Sequence, residues 1–523
     1  MKPEQRLILA FVFALLIAVA FQKYVVPPKK GETPAASKGV VSNQEKGIKP
    51  GAQNPASPFA EKAQTPAMAK GRREGKVITL DLPYATIKFN SFGGVLSGYA
   101  LKEYKGPKGS PMELIDQAGY LQVVLPDNPA LAARVNTSNF TMRRLNERGK
   151  VGVELSLTLP DESLTVKKRV LFSLDTPYTL DGSIEVVQKG KPLATGILMG
   201  PTIAPTDRKS RYAFTGPLVF LKDKRTAKEV KLKKDGQHRE FANPYWVALQ
   251  SLYFTATVVP ALPTYTWIER TSKDHWRIAV WSETPKAFSF WGFFGPKRFK
   301  LLKSFNMHLE ENIRFGMFAI IAKPALEFLN YLYGKVHNYG WAIIILTLIL
   351  KILFHPLTAY GYKSMAKMQN LQPKLQEIKR LYKDDPAKMN AETMALYKKE
   401  KINPMGGCLP MLLQIPVFFA LYKVLMVAIE LRHAPFIGYL TDLSAKDPYY
   451  ITPILMGATM FLQQKMTPAM GDSTQNKIML AMPIVFTFLF LNFPSGLVLY
   501  WLVNNVISIG EQVLVKKVYA KEA

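Results

Sequence analysis

The sequence is poor in cysteine and in acid. A single cysteine, Cys408, in 523 residues excludes an internal disulfide framework and any cysteine metal cluster, and leaves that thiol as a small packing residue. Only 39 Asp and Glu stand against 68 Lys and Arg, a net charge of +29, with charged residues 20% of the chain. Such a basic excess suits nucleic acid or an anionic membrane surface. The long apolar runs beyond residue 339 decide for the membrane, so no direct nucleic-acid binding is expected. Over residues 76–312 no GxSxG elbow, HExxH helix, Walker loop or close carboxylate pair marks a catalytic site. The chain therefore reads as a non-enzyme, with no catalytic residue, metal ligand or cofactor assigned. Its 48% apolar and 11% aromatic residues exclude wholesale disorder.

What is present divides by position. Lys2 and Arg6 precede an apolar run from Leu7 to Phe21, so residues 1–26 are a signal peptide or a signal anchor. Ala18-Val19-Ala20 imitates a cleavage site, but later segments need a partner for a consistent topology, and a transmembrane anchor is expected. Residues 27–75, rich in Pro, Lys, Gly, Ala and Gln, cannot bury enough apolar surface to fold and are expected to be a flexible tether. Over residues 76–312, alternating runs such as Val77-Ile78-Thr79-Leu80-Asp81-Leu82, Val153-Glu154-Leu155-Ser156-Leu157 and Tyr253-Phe254-Thr255-Ala256-Thr257-Val258 lie between Gly, Pro, Asn and Asp turns. They predict half-buried antiparallel strands of a large β-sandwich. In residues 313–338, Phe315, Phe318, Ile321, Ala322, Ala325, Leu329, Leu332 and Val336 recur at steps of three and four, opposite Lys323, Glu327 and Asn330. This is an amphipathic helix lying in the membrane interface, or one packed on the β-domain.

Five apolar segments follow, at about 339–355, 408–429, 451–466, 478–493 and 496–515, three of them at the short end for a span. Between the first two, residues 356–407 carry ten Lys or Arg against five Asp or Glu, which places them in the cytoplasm. Counting outward, 432–450 is external, 467–477 internal, Pro494-Ser495 external, and the basic tail 516–523, with Lys516, Lys517 and Lys521, internal. The β-domain is then outside and the N-terminus cytoplasmic. Lys23, Lys29 and Lys30 run against this assignment, and four consistent later segments outweigh them. Within the basic stretch, residues 361–401 read as a helical hairpin. Met365, Met368, Leu371, Leu375, Ile378 and Leu381 stripe its first helix, and Asp385-Pro386 starts the second. The methionines either dock flexible apolar ligands or simply pack. The fold class is a polytopic α-helical membrane protein, an N-terminal anchor plus a five-helix core, with a large extracytoplasmic all-β domain.

The most informative residue is Lys351, at the end of the run Ile343-Ile344-Ile345-Leu346-Thr347-Leu348-Ile349-Leu350. A charge at such depth costs about 3 kcal/mol on insertion scales and is a functional hypothesis by default. Thr347, Lys351 and His355 are spaced i, i+4, i+8 and share one stripe. On the last segment Tyr500, Asn504, Ser508 and Gln512 repeat that spacing, joined by neighbouring Asn505, and Gln414 adds a polar group from the 408–429 segment. Polar side chains thus converge from three helices in the cytoplasmic half, which suits a hydrated cavity closed toward the outside. Snorkelling of Lys351 to headgroups and back-bonding of Thr347 within its own helix are the plainer alternatives.

Asn403-Pro404-Met405-Gly406-Gly407-Cys408-Leu409-Pro410, Gln414-Ile415-Pro416, Asp447-Pro448-Tyr449-Tyr450-Ile451 and Phe493-Pro494-Ser495-Gly496-Leu497-Val498-Leu499-Tyr500 together resemble a YidC-type membrane protein insertase over residues 314–515. The anchor, tether and outer domain resemble the long Gram-negative form by layout. The resemblance implies a five-helix insertase core over 339–515 in the cell inner membrane, and a periplasmic β-supersandwich. It puts Lys351 in the place of the groove's basic residue, where the family usually has arginine. Lysine keeps the charge without the planar fork. Trp501 stands where a second tyrosine is expected and keeps an aromatic wall without the hydroxyl. The implied partners are nascent membrane proteins, membrane lipids, and a Sec-type translocon, ribosome or targeting factors at the basic hairpin and tail.

The expected mechanism has the hairpin receive a hydrophobic segment while Lys351 attracts acidic residues in its hydrophilic flank. The segment then slides past Leu412, Ile415 and Phe418 into lipid, driven by apolar burial and without nucleotide hydrolysis. The short spans 451–466 and 478–493 would thin the bilayer. Two other classes compete. A solute or ion transporter would use Lys351 as counter-ion, but paired broken helices are not seen in the sequence. A sugar-binding or envelope-assembly protein would act through the β-domain.

Overall fold

The computed structural model describes residues 75–106, 109–207, 214–223, 225–400, 409–467 and 473–522. The expected anchor (1–26), nearly all of the tether (27–75) and Cys408 lie outside the described residues. The chain divides between Ile313 and Arg314 into two compact units.

The first unit is built from antiparallel strands in three sheets. Val77–Asp81, Ala85–Asn90, Val95–Lys105 and Pro111–Tyr120 form a four-stranded meander. A ten-stranded sheet has Trp246–Gln250, Phe254–Pro260, Phe288–Pro296, Thr179–Gln188 and Leu164–Ser173 side by side at its centre. A five-stranded sheet orders His238–Ala242, Tyr265–Ser272, His275–Trp281, Gly196–Met199 and Gln122–Val124. One short helix, α1 (Pro129–Asn136), capped by the Asn128 side chain, lies between strands, and a second, α2 (Phe299–Ser304), follows the last of them.

The alternating pattern does what it predicts in Leu164–Ser173, where Leu164, Val166, Lys168 and Val170 are buried and Thr165, Lys167 and Arg169 exposed. The stretch 254–258 differs, being buried at every residue. It runs through the middle of the largest sheet, where both faces are covered. Meander and large sheet are joined by aromatic edges, Phe89 and Tyr99 on Phe172, Tyr99 and Tyr120 on Phe294. Each such ring contributes about 1.5–3 kcal/mol by burial.

Period two also puts a lysine inside. Lys168 Nζ donates to the carbonyls of Gly93 (3.1 Å), Gly94 (2.9 Å) and Leu121 (3.1 Å), below the ring of Phe140. Gly93 and Gly94 have φ of +72° and +54°, a turn that only glycine makes without strain. The ammonium therefore pins the meander's turns to the large sheet. Burial pushes its pKa down to about 7. Lys297 is a second case, bonded to Gln250 Oε1 and Ser251 O. Burial pushes it down to about 7 while the charge of Asp207 opposes the shift.

The second unit is helical. After a 3-10 turn, Gly316–Phe318, come α3 (Ala319–Val336), α4 (Tyr339–Asn370), α5 (Gln372–Leu381), α6 (Pro386–Lys399), α7 (Leu409–Val427), α8 (Ile451–Met466), α9 (Ser473–Phe490) and α10 (Ser495–Glu522). Helix α10 packs on α4 and α8, α8 on α9, and α3 on α4 and α7. Asn338 starts α4 by accepting from the amides of Gly340 and Trp341. Asp385 starts α6 by accepting from Lys388 N, with Pro386 in the first turn, as its sequence predicts. Helix α4 and residues 495–515 are long and apolar enough to cross a membrane. At 1.5 Å per residue, α8 is roughly 24 Å long and α9 roughly 27 Å, short of the ~30 Å hydrocarbon core. Ile352, Leu353, Ile454, Ile484, Phe488 and Leu514 are among the many apolar side chains left exposed on these helices. In a water-soluble domain that much contiguous apolar surface would aggregate.

Several boundaries differ from those the sequence suggests. Helix α4 does not stop near residue 355 but runs through Pro356 to Asn370, so the hairpin's first arm is its continuation. A proline removes one hydrogen bond without ending a helix that neighbouring helices hold. The expected methionine stripe crosses the α4–α5 break, with Met368, Leu371 and Leu375 buried and Leu381 exposed. Helix α9 starts five residues early, and α10 continues through the expected tail to Glu522. On α3 the buried stripe is Ala322, Leu326, Leu329 and Leu332, so Leu326 takes the place expected of Ala325.

Candidate functional site

The two polar stripes meet. Helices α4 and α10 pack along their length, and the i, i+4 spacing on each turns the stripes toward one another. Lys351 Nζ donates to Ser508 Oγ at 2.5 Å, and the Ser508 hydroxyl in turn donates to the Asn504 carbonyl at 2.8 Å. The second partner of Lys351 is one the sequence reading omitted. Glu511 Oε2 lies 3.6 Å from Nζ, and the two side chains are only 6% and 9% exposed. The other oxygen, Oε1, lies 3.2 Å from His355 Nδ1 and 3.5 Å from Thr358 Oγ1. Thr358 gives its proton in part to the His355 carbonyl at 3.0 Å. His355 itself is half exposed and marks the accessible end of the cluster.

A second polar contact lies one turn toward the other end. Gln414 of α7 donates to Asn504 Oδ1 at 3.1 Å and also reaches the hydroxyl of the buried Tyr500. Beyond it the site becomes aromatic. Phe418 stacks on Tyr500 and meets the edge of Trp501 at 4.7 Å between centroids, and Phe486 and Phe490 close on Trp501 from α9. Ile415, a turn away on α7, is 40% exposed. The side chain of Leu412 lies outside the described residues.

Three expectations need correction. Thr347 is buried but bonded to its own helix, Oγ1 to the Ile343 carbonyl at 2.7 Å, and joins no network across helices. Asn505 faces α8, reaching the Met456 carbonyl and Thr459 Oγ1 at 3.4 Å, because one residue along a helix is about 100° around it. Lys351 is not a bare positive charge in an open cavity. It is enclosed between helices and its charge is balanced by Glu511. Gln512 is buried on the same side, where Tyr362 of α4 faces it. Glu511 could have been read as the one carboxylate among the apolar residues 496–515, seven residues after Asn504 and three after Ser508. Tyr362 carried no such signal.

Chemically the cluster is an ion pair with a hydrogen-bonded surround. Removing one partner of so dry a pair costs about 3–5 kcal/mol, because the other is left uncompensated. Among the described residues no three His, Cys, Asp or Glu side chains gather as a metal site. The loop before α8 holds another buried carboxylate, Asp447. Its oxygens accept from Thr452 N (2.8 Å), Thr452 Oγ1 (2.6 Å), Tyr439 OH (3.2 Å) and Tyr449 N (2.9 Å), which fixes the start of α8.

Comparison with known proteins covers both units. Residues 331–522 match the family described as 60Kd inner membrane protein, and residues 77–328 match the YidC periplasmic domain. The membrane protein insertase YidC of Syntrophus aciditrophicus (strain SB) is 39% identical over 547 residues, spanning 98% of this chain and 99% of that protein. Its counterpart in Geobacter metallireducens is 39% identical over 535 residues, 98% of each chain. That of Maridesulfovibrio salexigens is 37% identical over 542 residues, 97% of this chain and 98% of that one.

Proposed function

Because this chain belongs to the YidC family of membrane protein insertases, we propose that it moves hydrophobic segments of nascent proteins from the cytoplasm into the inner membrane. The observation that carries this reading is the convergence of Lys351, Gln414, Asn504 and Ser508 from three helices, beside the exposed Ile415 and the aromatic wall of Phe418 and Trp501. The polar side of that site would accept the hydrophilic flank that has to cross, hydrated from the His355 end. The apolar side, Leu412, Ile415 and Phe418, would guide the hydrophobic segment into lipid. Burial of about 20 apolar residues in hydrocarbon supplies the driving force, so no nucleotide is required.

The layout follows from the same reading. Residues 1–26 anchor the chain and 27–75 tether a periplasmic β-domain, 76–312, of the supersandwich kind. Helix α3 lies in the membrane interface, and α4, α7, α8, α9 and α10 make the five-span core, with both termini cytoplasmic. Short α8 and α9 thin the bilayer where cargo crosses. The basic α5–α6 hairpin meets the ribosome, targeting factors or a Sec-type translocon, and the exposed apolar belt meets lipid.

The test is insertion of a short single-spanning protein with an acidic N-terminal flank into liposomes, with and without the purified chain and without nucleotide. Insertion that depends on the chain, and that Lys351→Ala lowers for the acidic flank, is the expected result. Equal insertion by Lys351→Ala would remove the charge-attraction step. A transporter using Lys351 as counter-ion would instead move a small solute in the same vesicles, a reading that none of the named relatives favours.

A further inference from the structure

Two buried carboxylates in the helical unit are held in different ways. Asp447 accepts four hydrogen bonds between 2.6 and 3.2 Å and is fixed by them. Glu511 is loosely held. Its Oε2 has no hydrogen-bond donor among the described residues and faces the charge of Lys351 at 3.6 Å. Its Oε1 shares the long contacts to His355 and Thr358. Lys351, for its part, has a short bond to Ser508 that does not depend on Glu511.

We infer that Glu511 is a built-in stand-in for a cargo carboxylate, resting on Lys351 between insertion events and exchanging with an acidic residue of the incoming flank. This rests on the reading of Lys351 as the charge that draws such flanks. The exchange keeps Lys351 paired throughout, which matters because an unpaired charge in so dry a place is strongly disfavoured. Glu511 loses only its weaker oxygen contact when it leaves. His355 and Thr358 retain the other oxygen at the accessible end of the cluster, where the displaced carboxylate is hydrated. Glu511 therefore determines specificity without touching the hydrophobic segment. It sets how strongly a cargo's flank must be acidic to compete, and neutral flanks are insensitive to it.

The test uses the full chain in liposomes and two single-spanning cargoes that differ only in acidic against amide residues in the flank. The reading is the ratio of acidic to neutral cargo inserted. Glu511→Gln frees Lys351 of competition and should raise that ratio about fivefold or more, the usual size of a coupling between two sites. Glu511→Asp, which pulls the carboxylate back by one methylene, should fall between. Lys351→Gln/Glu511→Gln should bring the ratio to one. A general folding defect lowers both cargoes together and leaves the ratio alone. Should Glu511→Gln not be recoverable as folded protein, Glu511→Asp must still raise the ratio. An unchanged ratio in folded Glu511→Gln or Glu511→Asp, with wild type inserting both cargoes, would overturn the inference and leave the insertase reading standing. Wild type that inserts neither cargo would remove both.

Discussion

Helices α8 and α9 are in close contact at Gly457, and the geometry there gives a sharp prediction. A Cβ added to Gly457 would lie 1.9 Å from Thr487 Oγ1, 3.1 Å from its Cβ and 3.3 Å from its Cγ2. Ordinary contact begins near 3.5 Å, so roughly 1.5 Å has to be found. Thr487 cannot supply it by turning. Its Oγ1 is bonded to the Pro483 carbonyl at 2.7 Å, and rotation brings a methyl group into the same space. The helices must part. Gly457→Ala should therefore carry an overpacking cost of about 1–3 kcal/mol, offset in part by about 1 kcal/mol from alanine's better helix propensity. Each net kcal/mol lowers the melting temperature of a unit this size by about 2–4 °C. The assay is thermal loss of the soluble peak from detergent-solubilised protein. Adding Thr487→Ala should recover most of the loss, since it removes Oγ1 and Cγ2 and leaves only the milder 3.1 Å approach to Cβ. A Gly457→Ala protein as stable as wild type, or one that Thr487→Ala fails to rescue, would refute the close approach.

Three further outcomes are expected. Burial alone would raise the pKa of Asp447, yet its hydrogen bonds outweigh this and hold the carboxyl below the usual range. Its contribution is then complete above about pH 4 and lost as pH falls through its lowered pKa, so protease resistance of the 432–450 loop should fail in acid, and Asp447→Asn should fail already at neutral pH. Lys168 and Lys297, held down to about 7, bind fewer protons folded than unfolded between there and the ordinary lysine pKa. Stability should rise by about 1 kcal/mol per pH unit for each lysine from pH 7 toward 10, read from denaturant midpoints of the full chain, and Lys168→Met should flatten the slope. Pro356→Ala gives the Ile352 carbonyl an amide partner within α4, and hydrogen exchange around residues 353–360 should slow.

How much could be read beforehand depended on the distance over which the deciding contact acts. Lys351 stood out because one charge in an apolar run is conspicuous without a partner. Glu511 did not, since it lies beside Gln512 in the last turns of the expected apolar segment 496–515, just ahead of the basic tail, where a charge needs no explanation. Only the packing of α4 on α10, residues some 150 positions apart, makes it the answer to Lys351. Asn505 was misplaced because polarity says that a residue needs a partner and not which neighbouring helix provides it. In the β-domain, period two is local and put Val153, Leu155 and Leu157 inward correctly. That residues 254–258 are central and covered on both faces follows from pairing with Phe288–Pro296 and Trp246–Gln250, long-range matches that alternation does not encode. The first apolar segment ends near residue 355, yet α4 runs on through Pro356 to Asn370 because hydrophobicity marks where a span ends and not where its helix does.

The unbroken course of α4 has a mechanical side. Asn370, where α4 gives way to α5 within the hairpin's first arm, lies about 28 Å along the same rod from Lys351, so the hairpin is a handle on the ion pair. Pro356, lying between them with one rung of the ladder missing, serves as the flexure. Rotation of that rod about its own axis would turn Lys351 away from or toward Glu511 without requiring the helix to unwind.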